Sequence, residues 1–108
     1  MLKNYMLLLS VTQNDATTTR AIHERITKNV DANAKPLWID AKGIGIFIST
    51  GLPAIDIWTT AFTSQTDHAR DALIIELGND WLARRDAKTE HWLTTHIGNP
   101  KPSKNRRR

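Results

Sequence analysis

The chain has 108 residues, of which 40% are hydrophobic and 24% charged, and it contains no cysteine. That composition predicts one soluble globular domain with a single modest core, and it excludes disulfides, thiol catalysis and thiolate metal sites. The formal charge of +4 is unevenly spread: Asn99 to Arg108 carries five cations and no acid, while Met1 to Gly98 holds ten Lys or Arg against eleven Asp or Glu. The basic character therefore belongs to the tail, whereas a folded face that grips duplex nucleic acid usually carries more positive charge than this body does.

The first element is an apolar run from Asn4 to Val11, centred on Tyr5-Met6-Leu7-Leu8-Leu9. A strand apolar on both faces belongs at the centre of its sheet. Thr12 to Asp15 interrupts it with turn and cap residues. Ile22, Ile26 and Val30 then recur at four-residue spacing, opposite Arg20, His23, Glu24 and Lys28. This pattern predicts an amphipathic helix over residues 15–30.

After the loop Asp31 to Pro36, Leu37-Trp38-Ile39 reads as a short second strand. Lys42-Gly43 is expected to make a hairpin turn through the positive φ open to glycine. Ile44, Ile46 and Ile48 alternate with Gly45 and Phe47 in a third strand, again apolar on both faces and again expected to be central. Pro53 opens a second helix, whose expected core stripe is Ile55, Trp58 and Phe62, flanked by Ala54, Ile57 and Ala61. Ser64 to His68 is a polar break, and Ala72 to Leu77 is a fourth strand. Trp81-Leu82 is expected to form a covering loop or a short extra strand. Asp86 caps a last helix, with Thr89, Trp92, Leu93, His96 and Ile97 on its packing face and Gly98-Asn99-Pro100 as its stop.

The order implies an α+β fold, a ferredoxin-like βαββαβ sandwich with strand order 4-1-3-2, plus an extra C-terminal helix. The expected domain spans residues 1–98, followed by a disordered basic tail over 99–108. Apolar runs such as Met6 to Leu9 are far too short to cross a bilayer. The N-terminus lacks the basic-then-apolar order of a signal peptide, so the expected location is cytoplasmic with no membrane partner.

Candidate chemistry is sparse. His91 and His96 are five residues apart, about 140° around a helix, and so do not share a metal. Glu90-His91 begins like a zinc-binding helix motif, but no second histidine follows four residues on. His23 and His68 read as surface residues. Gly43-Ile44-Gly45 lacks the third glycine of a dinucleotide-binding loop and does not open a helix. Asp40 and Asp80, near strand ends, read as loop caps in preference to ligands for a hard cation. No nucleophile elbow is present. No cofactor, metal site or catalytic residue is expected.

What remains is charge and tryptophan. Arg84, Arg85 and Lys88, with Lys101, Lys104, Arg106, Arg107 and Arg108 of the tail, are the candidate nucleic-acid contacts. Their ordinary reading is a solvated face with a solubilising tail. Of the four tryptophans, Trp58 and Trp92 fit helix packing faces, whereas Trp38 and Trp81 are candidate interface anchors. The alternative for these two is base stacking.

Phe47-Ile48-Ser49-Thr50 leading into an Ile-containing helix, and Asp71 before an apolar fourth strand closed by Gly78, give the segment Asn4 to Leu77 a resemblance to a known family. It is similar to the small ferredoxin-like subunits of CRISPR adaptation complexes and their toxin-type relatives. The resemblance implies a homodimer with C-terminal segments pairing across it. Some such proteins cleave nucleic acid with a metal-bound aspartate at the end of the first strand. Here that strand ends Leu9-Ser10-Val11, without an acid, so no catalytic residue carries over. The resulting expectation is a non-catalytic, nucleic-acid-associated accessory or regulatory protein, homodimeric, with its basic tail on phosphates. A protein-interaction module, such as an inhibitor or immunity partner, is the alternative, and a metal-dependent nuclease ranks third.

Overall fold

The computed structural model describes residues 1–12, 16–62, 69–84 and 87–103. The elements are β1 (Lys3–Val11), α1 (Ala16–Asn29), β2 (Lys35–Ile39), β3 (Gly43–Thr50), α2 (Ala54–Ala61), β4 (Ala69–Glu76) and α3 (Ala87–His96). The four strands form one antiparallel sheet in the order β2-β3-β1-β4, so the two strands apolar on both faces are its central pair. The architecture is α+β and compatible with a ferredoxin-like fold.

Alternation along the strands divides the sheet into two chemically different faces. Tyr5, Leu7, Leu9 and Val11 of β1, with Ile44, Ile46 and Ile48 of β3, point to the side covered by α1 and α2. There they meet Ile22 and Ile26 of α1 and Ile57 and Ala61 of α2. Each fully buried Ile or Leu contributes about 1.5–3 kcal/mol on leaving water, so this layer dominates stability. Val30, the third residue of the α1 stripe, falls just past the helix end and packs against the same cluster. Two polar contacts fix the helices laterally. The Thr19 hydroxyl donates to the Asp40 carbonyl (2.9 Å), and the Arg25 guanidinium Nε donates to the Thr60 carbonyl (3.0 Å).

Two sequence expectations change. In α2 the buried stripe is Ile57 and Ala61, flanked by Ala54 and Phe62, while Ile55 is exposed and Trp58 lies outside the core. Both stripes are apolar, and the one with the smaller side chains, Ile57 and Ala61, is the one turned to the core. Trp58 instead stacks on Phe62, with ring centroids 3.8 Å apart. In the β2–β3 turn, Gly43 does not use positive φ, which among the described glycines occurs at Gly98 alone. Gly43 is needed for close approach, since a Cβ there would collide with the Leu9 carbonyl of β1. The turn itself is held by the Asp40 carboxylate, which accepts the N–H groups of Lys42 (2.7 Å) and Gly43 (3.1 Å). Asp31 works similarly, accepting from Asn33 (2.9 Å) and from Ser49 on β3 (2.8 Å).

The expected turn residues Gln13, Asn14 and Asp15, the break Ser64 to His68, and the proposed cap Asp86 lie outside the described residues.

Candidate nucleic-acid interface

The second face of the sheet is built in rows that the strand register makes explicit. One row runs Lys35 (β2), Phe47 (β3), Met6 (β1), Ile75 (β4); the next runs Trp38, Gly45, Leu8, Leu73. Helix α3 crosses the first row. Trp92 and Leu93 are buried there against Met6 and Phe47, and Leu8, Leu77, Trp81, Ala83 and Ile97 pack around them. Phe47 and Trp92 stack with centroids 4.7 Å apart, and His96 continues the stack on Trp92 at 4.0 Å. The His96 ring is placed by a hydrogen bond between its Nδ1 and the Trp92 carbonyl (2.9 Å).

The C-terminal end of α3 is clasped. Ile97 and Gly98 both return their N–H groups to the Leu93 carbonyl, and Gly98 adopts φ 113°. This is the left-handed stop that the sequence predicts for Gly98. The Trp81 indole N–H donates to the Gly98 carbonyl (3.2 Å), Asn4 Nδ2 donates to the His96 carbonyl (3.2 Å), and Lys101 N–H donates to the Asn79 carbonyl (2.8 Å).

Beside this stack lies a notch of about 410 Å³ lined by Lys35, Ala87, Lys88, His91, Trp92, Thr95 and His96. Two lysines and two histidines face it, and none of the described residues lining it is acidic. The buried indole N–H of Trp92 has no hydrogen-bond acceptor among the described residues. The combination of cationic heads and an aromatic wall suits an anionic ligand with a planar ring. The neighbouring row stays open. Leu8, Leu9, Ser10, Trp38, Asp71, Ala72 and Leu73 line a shallow apolar hollow of about 330 Å³. Trp38, 41% exposed, lies with its ring directly over Gly45.

Of the residues singled out from sequence, Lys88 lies in the first turn of α3 and lines the notch, and Arg84 is exposed just ahead of that helix. Lys101 is exposed, with its backbone tied to Asn79, so the chain stays attached to the body at least that far. Arg85, Lys104, Arg106, Arg107 and Arg108 lie outside the described residues. The two candidate anchors separate. Trp38 presents its ring on the open face, whereas Trp81 is half-buried, packed beside Trp92 and hydrogen-bonded to Gly98. Sequence reasoning passed over Lys35 and weighed His91 and His96 together only as a metal pair. The periodicity of α3 already placed His96 beside Trp92, but Lys35 reaches the notch only through the register of β2 against β3, which no local pattern encodes.

Among the described residues, no helix is long and apolar enough to cross a membrane. No protein-family model matches the chain, and neither does any curated protein or solved structure.

Proposed function

We propose that this is a ferredoxin-like, homodimeric, non-catalytic accessory or regulatory protein that associates with single-stranded nucleic acid. One observation carries the reading: a notch walled by the Phe47–Trp92–His96 stack and lined by Lys35, Lys88, His91 and His96, with no acid among the described lining residues. Phosphates meet the lysines, and a base extends the stack at exposed His96. Arg84, Lys101 and the cations of the tail add sequence-independent attraction. A narrow notch of this kind favours an unpaired, splayed base over a stacked duplex.

Fluorescence anisotropy with labelled single-stranded RNA and DNA, and a duplex control, tests this. The expected result is single-strand binding that weakens about tenfold when Lys35 and Lys88 are both replaced by Gln, from two charge-assisted contacts. Absence of binding, or binding indifferent to that double substitution, overturns it. Cleavage of the oligonucleotides in divalent metal would instead support a nuclease.

The second reading, a protein-interaction module, is favoured by the open row Trp38, Leu8 and Leu73. An exposed Trp beside an exposed aliphatic side chain such as Leu73 is a common anchor for a protein partner.

A further inference from the structure

The notch beside α3 holds two kinds of basic group. Lys35 comes from β2 and Lys88 from α3, and lysine keeps its charge throughout the neutral range. His91 and His96 also come from α3, and imidazole is the side chain that exchanges its charge there. The remaining described lining residues, Ala87, Trp92 and Thr95, are uncharged. The sheet meets the stack through Met6 and Phe47, and the segment ahead of α3 meets it through Leu77, Trp81 and Ala83, all apolar. Glu90 is the one acid on α3, and it does not line the notch.

Hydrogen bonding gives the His96 ring a direction. Its Nδ1 meets the Trp92 carbonyl at 2.9 Å. A carbonyl only accepts, so Nδ1 holds a proton whether or not the ring is charged. The neutral ring therefore keeps its lone pair on Nε2. A phosphate oxygen also only accepts, and the two lone pairs repel. Once the ring takes up a proton, Nε2 becomes a cationic N–H donor, and the same phosphate gains a charge-assisted contact. The stack on Trp92 occupies one face of a ring that is otherwise exposed, so a base on the other face does not compete with a phosphate at the edge. His91, also exposed, sits five residues earlier, about 7.5 Å back along the helix axis, and so suits a different phosphate of the strand.

We infer that single-strand binding at the notch is coupled to proton uptake by His96 and His91, so that the protein holds nucleic acid more tightly as the solution becomes mildly acidic. The sign follows from linkage: a ligand that prefers the protonated rings binds better as pH falls, and by reciprocity draws protons onto them. Phosphodiesters stay anionic across the same range, so the histidines set the change. This inference rests on the notch reading and adds its regulation.

The test is fluorescence anisotropy with a pH-insensitive label on oligouridine lacking a terminal phosphate, whose bases and backbone exchange no proton between about pH 8 and pH 5.5. The full chain is compared with His91→Gln, His96→Gln, the double variant and, as a control across the sheet on α1, His23→Gln. The wild-type protein and His23→Gln should bind about tenfold more tightly at about pH 5.5 than at about pH 8. Each notch variant should keep about a threefold gain, and the double variant should be flat. In the wild-type protein the log–log salt slope should also steepen at the lower pH, by up to about 1.4 units for two added phosphate contacts on a single strand. Wild-type affinity indifferent to pH, or a pH dependence that survives in the double variant, refutes the coupling and leaves the notch reading standing. Absence of binding at every pH refutes both.

Discussion

Gly43 and Gly45 lie two residues apart on β3, and both are closely approached, but by different kinds of atom. A Cβ at Gly43 would run into the Leu9 carbonyl of β1, with the Leu9 carbonyl carbon and Ser10 Cα each at 3.4 Å. All of these are backbone, and they belong to the pairs Ser10–Gly43 and Leu9–Ile44 that hold the central strands together. Relief therefore requires moving β1 off β3 beside the core. Overpacking of that kind costs about 1–3 kcal/mol, and a weakened ladder hydrogen bond adds about 1. The stiffer unfolded chain returns about 0.4–1 kcal/mol, leaving Gly43→Ala destabilised by about 1–3.6 kcal/mol. At Gly45 the offending atoms all belong to the Trp38 ring, which can swing into solvent. The loss there is only the ring's contact with the sheet, so Gly45→Ala should cost under about 1.5 kcal/mol. The decisive comparison is in a Trp38→Ala background. Gly45→Ala should become neutral or stabilising by about 0.4–1 kcal/mol, while Gly43→Ala keeps its full cost. Urea denaturation of the six proteins measures this cycle, with a midpoint displacement of about 4–8 °C per kcal/mol in parallel thermal melts. Gly43→Ala as stable as wild type, or a Gly45→Ala cost that persists without Trp38, would refute the packing described for this face.

Trp81→Phe removes the donor to the Gly98 carbonyl while keeping most of the packing; a loss of about 1 kcal/mol is expected, with faster amide exchange at Ile97 and Gly98 and no change at Ile26. Asp31→Ala strips the N–H groups of Asn33 and Ser49 of a charged acceptor and should cost about 1.5–3 kcal/mol in urea denaturation, whereas an uncoupled loop would show almost nothing. Deleting residues 104–108 removes Lys104, Arg106, Arg107 and Arg108 while sparing Ser103 and the Lys101–Asn79 contact. Single-strand binding should weaken for every sequence alike, and its log–log salt slope should fall by up to about 3 units, with an unchanged melting temperature; a falling melting temperature would place the tail in the fold.

The central strands were legible because burial on both faces leaves uninterrupted apolar runs, as in Met6 to Leu9 and Gly43 to Ile48. The α1 stripe and the Gly98 stop were legible for the same local reason: period and cap chemistry are written in adjacent residues. The facing of α2 was not, because Ile55 and Trp58 offer as apolar a stripe as Ile57 and Ala61 do. Only the distance to the sheet decides between them. The notch was half legible. Lys88 stood out as charge and Trp92 as packing, but their meeting with Lys35 depends on a strand pairing, and the angle that rules out a metal shared by His91 and His96 did not show that both face one concavity.

The claim that nucleic acid enters the notch beside α3 is tested most directly by following the four tryptophan indole N–H signals by NMR, assigned with single Trp→Phe variants, while a single-stranded oligonucleotide is added. Trp92, whose ring lines the notch, should show the largest displacement, with smaller changes at Trp81 and little at Trp58 on the opposite side of the sheet. Binding that moves backbone amides of the basic tail and leaves the Trp92 indole in place would contradict the account.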